Sequence, residues 1–544
     1  MKKIKEPWVF IFIIFCMALF FMFIIFPLSN VLRISLDYEG TTSFRNYYEA
    51  FSKSYYRKVF YNSLLMAGIS MLGAMTVGFL FAYLVINTNA PGKKIFRFIA
   101  MLPLISPPFV VGMAFIMLFG RRGLITNHLL GFLFNIYGWH GLFFVQTLSF
   151  FPLAYLFISS SLKLFDPNLG YAAQNLGGNR FHVFRTIEFP LMMPGILGCA
   201  LLISTSILSD FGNPLLIGGR FDVFATSIYM QATVLMDVET AGVLSLFLLV
   251  PTLILFLIQA QYLSKKSFIT VTGSTTQIQL KPTNPWVKWP IFISCLIISI
   301  LVVLLYVAII VGSFSKVWGV DYSFTWKYIK EAVIGSPGRA LRNSLTFASI
   351  AAIINSFIGV MIAYVLIRKK FFGRGLMDFL SVVLFVIPGT IMGLAYVTTF
   401  NVPPLVLTGT PIIIVISMVF RYMPLGIRGG KAALSQISPY LEEASMNLGA
   451  DSILTMKNIV FPLLKSPFFF ALLYTFMKSF TTLSTVIFLV TPRYSVASVY
   501  IINMVESGLW GSAAALALFV ILICSILLLL IHVILGDKLQ LFQL

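Results

Sequence analysis

Charge is what this sequence has least of. Lys, Arg, Asp and Glu make up 10% of its 544 residues, against about 25% in a soluble domain, and 59% of the residues are hydrophobic. That balance excludes an ordinary soluble globular protein. Acids are scarcest: 18 Asp and Glu stand against 38 Lys and Arg, a net charge of +20. The four cysteines (Cys16, Cys199, Cys295 and Cys524) lie inside apolar runs with no Cys-x-x-Cys. This excludes a disulfide framework and leaves them as small core residues. The four histidines are scattered and no His-Glu-x-x-His occurs, so no metal site is expected in the chain. A Gly-x-x-x-x-Gly-Lys-Ser/Thr stretch is also missing, so the chain has no P-loop to cradle a nucleotide. An intramembrane enzyme would need clustered His, Asp or Glu, and none is found.

Long apolar runs are what the sequence does have. Each is long enough to cross a bilayer as a helix. Twelve spans are expected, at 8–31, 62–87, 96–119, 142–163, 190–212, 238–262, 289–314, 343–367, 376–398, 411–432, 464–490 and 511–535. The fold class is therefore an all-α polytopic membrane protein. Met1–Lys5 is basic and precedes an apolar run too long for a signal peptide, so an uncleaved first span is expected. The excess Lys and Arg sit mostly in short loops, where they orient the spans and meet anionic lipid. The clusters Lys93-Lys94-Arg97, Lys265-Lys266 and Arg368-Lys369-Lys370-Arg374 all fall on one side, which the rule makes cytoplasmic together with both termini. Arg121 and Arg122 fall on the other side, so the bias is imperfect.

The stretch 264–285 is polar, with Gly, Thr and Pro, and reads as a linker. It separates a first transmembrane repeat, 1–263, from a second, 286–544. A fixed shift tests the repeat. Shifted by 281, Asn62-Ser63-Leu64 falls on Asn343-Ser344-Leu345, Gly78 on Gly359, Ala82-Tyr83 on Ala363-Tyr364 and Pro107 on Pro388. Past a loop that is shorter in the second half, the shift becomes 272. Pro152 then meets Pro424, and Asn175-Leu176-Gly177 meets Asn447-Leu448-Gly449. Six spans is an even number, so the halves run parallel, related by an axis along the membrane normal.

One loop in each half stands out, 166–194 and 438–467, both between the fourth and fifth spans and on the cytoplasmic side. Asp166 and Ser438 suit an N-cap, and Pro167 and Pro439 suit the first helical position. Leu169, Ala172, Ala173 and Leu176 recur at helical spacing, as do Leu441, Ala444, Ser445 and Leu448. Gly177 and Gly449 would end these short helices in the left-handed conformation. A second helical stretch leads to Phe189-Pro190-Leu191 and Phe461-Pro462-Leu463, with 13 residues from Gly to Pro in both loops. The pattern resembles the EAA loop of binding-protein-dependent ABC importer permeases: Glu443-Ala444-Ser445 with Gly449, and Ala172-Ala173 with Gly177. Tyr171 stands where the acid of the first loop would be.

The resemblance implies that each short helix docks in a groove of an ATPase subunit, so two loops imply two such subunits. ATP and Mg would be bound by those partners, with no cofactor in this chain. An extracytoplasmic substrate-binding protein and a bacterial inner-membrane location are likewise implied. The fused arrangement, with Asp210-Phe211-Gly212-Asn213-Pro214 in one half and Leu483-Ser484-Thr485-Val486 in the other, looks like the iron(III)-type permease group. That makes iron(III) the first expectation for the solute, with phosphonate, sugar phosphate or thiamine as alternatives. An ion-coupled secondary transporter is the competing class, but it would leave the paired loops unexplained.

Few polar groups lie at membrane depth. Asp210 either lines a path, as an intramembrane acid does by default, or caps a turn beside Gly212. Its repeat counterpart Thr482 belongs to a stretch rich in hydroxyls, with Lys478, Thr481, Ser484 and Thr485. Those hydroxyls either face a path or bond their own helix backbone. Arg421 has no acid nearby in sequence. It would face a water-filled cavity or an anionic solute, or pair with Asp210 or Glu443.

Overall fold

The structure is a computed structural model that describes residues 7–132, 134–163, 173–265 and 284–535. Asp166, Pro167, Ala172 and most of the expected linker lie outside the described residues. The first half runs α1 (Pro7–Leu36), a two-stranded hairpin of β1 (Asp37–Tyr38) and β2 (Thr41–Thr42), α2 (Arg45–Ser52), α3 (Ser54–Asn87), α4 (Lys93–Ile105), α5 (Pro108–Phe119) and α6 (Trp139–Lys163). It continues with α7 (Phe189–Leu208), α8 (Gly212–Ile217), α9 (Phe224–Tyr229) and α10 (Val238–Lys265). The second half repeats this order. It has α11 (Pro285–Phe314), the hairpin of β3 (Ser315–Val317) and β4 (Asp321–Phe324), α12 (Lys327–Ile334), α13 (Ser336–Arg368), α14 (Arg374–Val383) and α15 (Gly389–Thr399). Then come α16 (Pro411–Gln436), α17 (Tyr440–Asn447), α18 (Lys465–Phe480), α19 (Ala497–Glu506) and α20 (Trp510–Leu535).

Ten helices among the described residues are long and apolar enough to span a membrane, and an eleventh is bent by 58° between Met456–Leu463 and Pro467–Phe480. The sequence suggests twelve, and proline accounts for the difference. The expected ninth span, 376–398, is two short helices, α14 and α15, interrupted before Pro388. The expected third span breaks in the same way before Pro107, where Ser106 is extended with φ −96° and ψ 152°. Proline offers no N–H to the preceding turn and pushes the residue before it out of the helical region. The expected eleventh span, 464–490, ends as an α-helix at Phe480.

Within each half, the second and fourth long helices cross at small residues. A side chain on Gly359 of α13 would lie 3.1 Å from the Gly426 Cα of α16, and Gly78 of α3 abuts Ala154 of α6 in the same way. Small residues let helix backbones approach in lipid, where dispersion takes over from hydrophobic burial. The repeated Asn-Ser pair has a structural job as well. Ser63 Oγ accepts from Phe224 N at 2.8 Å and Ser344 Oγ from Ala497 N at 2.7 Å. Asn62 and Asn343 donate to the carbonyls of Asp222 (2.9 Å) and Ser495 (3.0 Å). These bonds hold the starts of α9 and α19, short buried helices that do not cross the membrane and that hydropathy does not reveal.

The halves are clasped by exchange of their first helices. From α1, Phe23 packs on Phe400 and Phe420 of the second half, with ring centroids 5.6 and 5.3 Å apart, and its carbonyl accepts from Tyr396 Oη at 2.9 Å. From α11, Tyr306 Oη donates to the Leu102 carbonyl at 3.0 Å and lies 2.8 Å from Ser106 Oγ. Beyond its end, Trp318 donates to the Met117 carbonyl at 3.2 Å.

Gly359→Leu forces the α13–α16 crossing apart, and overpacking a tight contact costs about 1–3 kcal/mol. Gly68→Leu meets nothing within 4 Å. The first substitution is expected to lower the thermal midpoint of the detergent-purified chain and the second to leave it unchanged, measured by fluorescence-detected size exclusion after heating.

Candidate functional site

The loop of the second half is built on one buried ion pair. Arg368, the last residue of α13, donates from Nε to Glu442 Oε1 at 2.7 Å and from Nη2 to the Ile437 carbonyl at 2.7 Å. Tyr364 Oη donates to Glu442 Oε2 at 3.1 Å. Both charged side chains are only 11% exposed. Two donors thus fix the carboxylate of α17, and the third bond, from Arg368 to Ile437, ties the same guanidinium to the end of α16. Ser445 Oγ lies 2.9 Å from Thr455 Oγ1, which joins α17 to the stretch that follows. Asp451 Oδ1 accepts from Leu454 N at 2.7 Å, as an N-cap does. The expected Ser438 cap is absent: the helix starts at Tyr440 with Pro439 just before it, and no side chain caps it.

Gly449 sits at φ +89° and Gly177 at φ +91°. Gly449 N donates to the Met446 carbonyl and Ala450 N to that of Ser445; Gly177 N donates to Gln174 and Gly178 N to Ala173. These are two Schellman motifs at repeat-related positions, with glycine where a Cβ would be strained. Each leaves an apolar side chain standing clear of the protein: Leu176 is 89% exposed and Leu448 88%. Leu441 and Met446 are about half exposed, and Glu443 and Ala444 also face outward. Ala173 opens the last turn before Gly177. Pro190 is exposed near the start of α7, and Pro462 is exposed in the short turn 461–463.

The second group of residues lies deeper. Asp210, 9% exposed, follows α7 in a tight turn. Its Oδ2 accepts from Gln146 Nε2 of α6 at 3.1 Å and from Asn213 Nδ2 at 3.0 Å, and its Oδ1 from Asn213 N at 3.4 Å. Ser70 of α3 extends the chain by donating to Gln146 Oε1 at 2.9 Å. The carboxylate therefore caps its turn and is held by amides. The repeat-related turn carries Thr482, 7% exposed, whose carbonyl accepts from Ser498 Oγ. Thr481 Oγ1 bonds back to the Met477 carbonyl at 2.9 Å. Ser484 packs against Gly389 at the start of α15. The two turns meet across the halves: Gly212 lies against Leu483, and Tyr229 packs edge-to-face between Phe211 (5.2 Å) and Phe488 (5.6 Å).

Arg421 pairs with neither Asp210 nor Glu443. Its Nη1 donates to the Ile387 carbonyl, one of those freed by the break before Pro388. The structure thus brings Asp210 together with Gln146 and Asn213, and sets Arg421 on the other half. Sequence reasoning missed Glu442, Arg368 and Gln146. Arg368 was visible as part of a basic cluster and Glu442 as the neighbour of the motif acid, but their pairing spans 74 residues. A cavity of about 530 Å³ lies apart from both groups, beyond the ends of α5 and α11, lined among others by Arg121, Arg122, Tyr137, Trp318 and Trp510.

The family model described as "Binding-protein-dependent transport system inner membrane component" matches the chain twice, over residues 74–269 and 355–539. The chain is 34% identical to the ferric transport system permease protein FbpB of Actinobacillus pleuropneumoniae, over 95% of this chain and 77% of that one. It is also 34% identical to the putative ferric transport system permease protein FbpB 1 of Haemophilus influenzae, over 89% and 78%. A crystal structure of a bacterial ABC transporter involved in alginate import aligns with a TM-score of 0.43 at 18% identity, over 49% of this chain and 98% of that one.

Removing one partner of a charged hydrogen bond costs about 1.5–3 kcal/mol. Glu442→Ala is therefore expected to raise amide hydrogen exchange across residues 438–464 by about tenfold or more. Glu443→Ala, which removes an exposed acid, is expected to leave that exchange unchanged; mass spectrometry of the exchanged protein reads both.

Proposed function

The chain belongs to the family of binding-protein-dependent transport system inner membrane components, and from that premise we propose that it carries iron(III) across the inner membrane, driven by two separate ATPase subunits seated on its two surface loops. The observation that carries this reading is the pair of Schellman-capped turns. They present Leu176 and Leu448 nearly free of the protein at repeat-related positions. An isolated apolar side chain so exposed has no role in the chain's own packing, and an apolar anchor on a short helix suits a groove in a partner. Iron(III) is placed first because the two relatives of highest identity named above are ferric transport permeases that align along most of the chain. Phosphonate, sugar phosphate and thiamine are the alternatives.

The chain's own part in coupling is mechanical. A push on α17 passes through the Glu442–Arg368 pair to the end of α13, and through the Arg368–Ile437 bond to the end of α16. Those two helices cross at Gly359 and Gly426 and move together. Tilting this pair against its counterpart, α3 and α6, would part the turns at Gly212 and Leu483, where the halves touch. Asp210, Thr481, Thr482 and Ser484 belong to those turns and are the candidate lining at that level. Arg421 is the candidate below it. ATP and Mg would be held by the ATPase partners, and an extracytoplasmic binding protein would deliver the solute on the far face. Both termini then lie in the cytoplasm, on the face that carries the two loops and the basic cluster Arg368–Arg374.

Leu176→Asp and Leu448→Asp place a charge where a groove would desolvate it. Each is expected to cut ATP-dependent, vanadate-sensitive iron(III) uptake about tenfold, since a misplaced interfacial charge costs a few kcal/mol, with folded yield unchanged. Native mass spectrometry is expected to find one chain with two ATPase copies. Uptake that ignores both substitutions and follows an ion gradient would replace this reading with secondary transport.

A further inference from the structure

Arg421 lies ten residues into α16, about 15 Å from its Pro411 end at 1.5 Å per residue. Lys478 lies thirteen residues into α18, about 20 Å from its start. Arg421 is therefore near the middle of α16, while Lys478 lies in the last turn of α18, at the end away from the loop of its half. The repeat places Arg421 opposite Ser149 and Lys478 opposite Ser206, one turn toward the surface loops from Gln146 and Asp210. Among the described residues, neither cation has a carboxylate within ion-pair distance. The nearby acid of the first half, Asp210, is taken up by Gln146 and Asn213.

The polar side chains beside the two cations are two phenols and, next to Lys478, the Cys524 thiol. Tyr422 stands beside both, and the Lys478 ammonium lies 5.6 Å from the centre of the Tyr474 ring. A phenol is neutral and cannot cancel a charge. Arg421 has five N–H donors and Lys478 three, and the bond to the Ile387 carbonyl uses one. Both residues are half-buried. At this depth an ionisable side chain faces the bundle interior or a water-filled cavity. Two cations held there without a counter-charge carry a desolvation cost that a bound anion would offset.

We propose that Arg421 and Lys478, with the hydroxyls of Tyr422 and Tyr474, form an oxyanion site in the translocation path, just on the loop side of the turns that close it. The site takes a phosphate, phosphonate or carboxylate group, so the solute crosses with negative charge: either as an organic phosphate or phosphonate, or as an iron(III) chelate whose ligands carry excess carboxylate. This inference rests on the reading of the chain as a solute path and names the charge of what passes.

The test uses the full chain in lipid nanodiscs, with inorganic phosphate, a hexose phosphate and iron(III) citrate as probes and chloride and free hexose as controls. Saturable thermal stabilisation is expected from at least one oxyanion probe and from neither control. Arg421→Gln and Lys478→Gln should each weaken it about tenfold or more, while Arg421→Lys, which keeps the charge, should retain most of it and checks that the fold survives. Saturation by hexose phosphate but not iron(III) citrate assigns the anion to an organic phosphate, and the reverse assigns it to a chelate. Oxyanion binding without any ATP-driven iron(III) uptake would overturn iron(III) and leave this site standing. Equal responses to oxyanions and chloride, or Gln variants that bind as well as the parent, would overturn the site even if uptake of iron(III) proceeds.

Discussion

The arrangement depends first on how closely two helices cross in each half. Gly359 against Gly426, and Gly78 against Ala154, bring the backbones of α13 and α16, and of α3 and α6, to near contact. In a bilayer, apolar area gives no preference for protein over lipid, so close approach and dispersion must hold the helices together. Everything at the loop surface hangs from this crossing. It sets the end of α13 beside the end of α16, and so places Arg368 where one guanidinium reaches both the Ile437 carbonyl and Glu442. A small helix that would otherwise be a loose connector becomes an extension of two long ones.

Around this frame the halves are similar in path and different in chemistry. Both have a Schellman-capped turn with an exposed leucine, a proline-broken helix and a short buried helix pinned by Asn and Ser. Yet where the second half has Arg368 and Glu442, the first has Asn87 and Gly170. Where the first has Ser70, Gln146 and Asp210, the second has Ala351, Met418 and Thr482. Where the second has Arg421 and Lys478, the first has serines. The repeat preserves the residues that shape the backbone, while the charged residues differ from half to half. A fused chain can hold such asymmetry because each half is encoded separately.

The clasp of first helices bears on how the halves can move. Phe23 of α1 is packed among rings of the second half, and Tyr306 of α11 bonds into the break of the first. Each half thus carries an arm of the other, so relative tilting must carry these arms along. Between them the two turns meet through Gly212 against Leu483 and through the rings of Phe211, Tyr229 and Phe488.

Much of this was legible in the sequence because it depends on local rules. Hydropathy marks long helices, proline and glycine mark their ends, and a fixed shift exposes the repeat, so Gly177 and Gly449 could be assigned a left-handed turn before any coordinates. The paired Asn-Ser signal was visible too, without its purpose. What hydropathy could not see is that an apolar stretch such as 376–398 breaks at proline, or that 497–506 turns back without crossing, since composition carries length but not direction. Partners were beyond reach for the same reason. Glu442 rather than Glu443 holds α17, Asp210 is met by amides and not by Arg421, and the first helices change halves. Most of those choices join residues tens to hundreds of positions apart, which only the packing of the whole chain brings into hydrogen-bond distance. The sequence by itself determined the spans, the repeat and the turn types, because these follow from the backbone and from solvent preference over a few residues. The tertiary structure alone decided which charges are paired and which stand open, because charge pairing is a matter of distance through space.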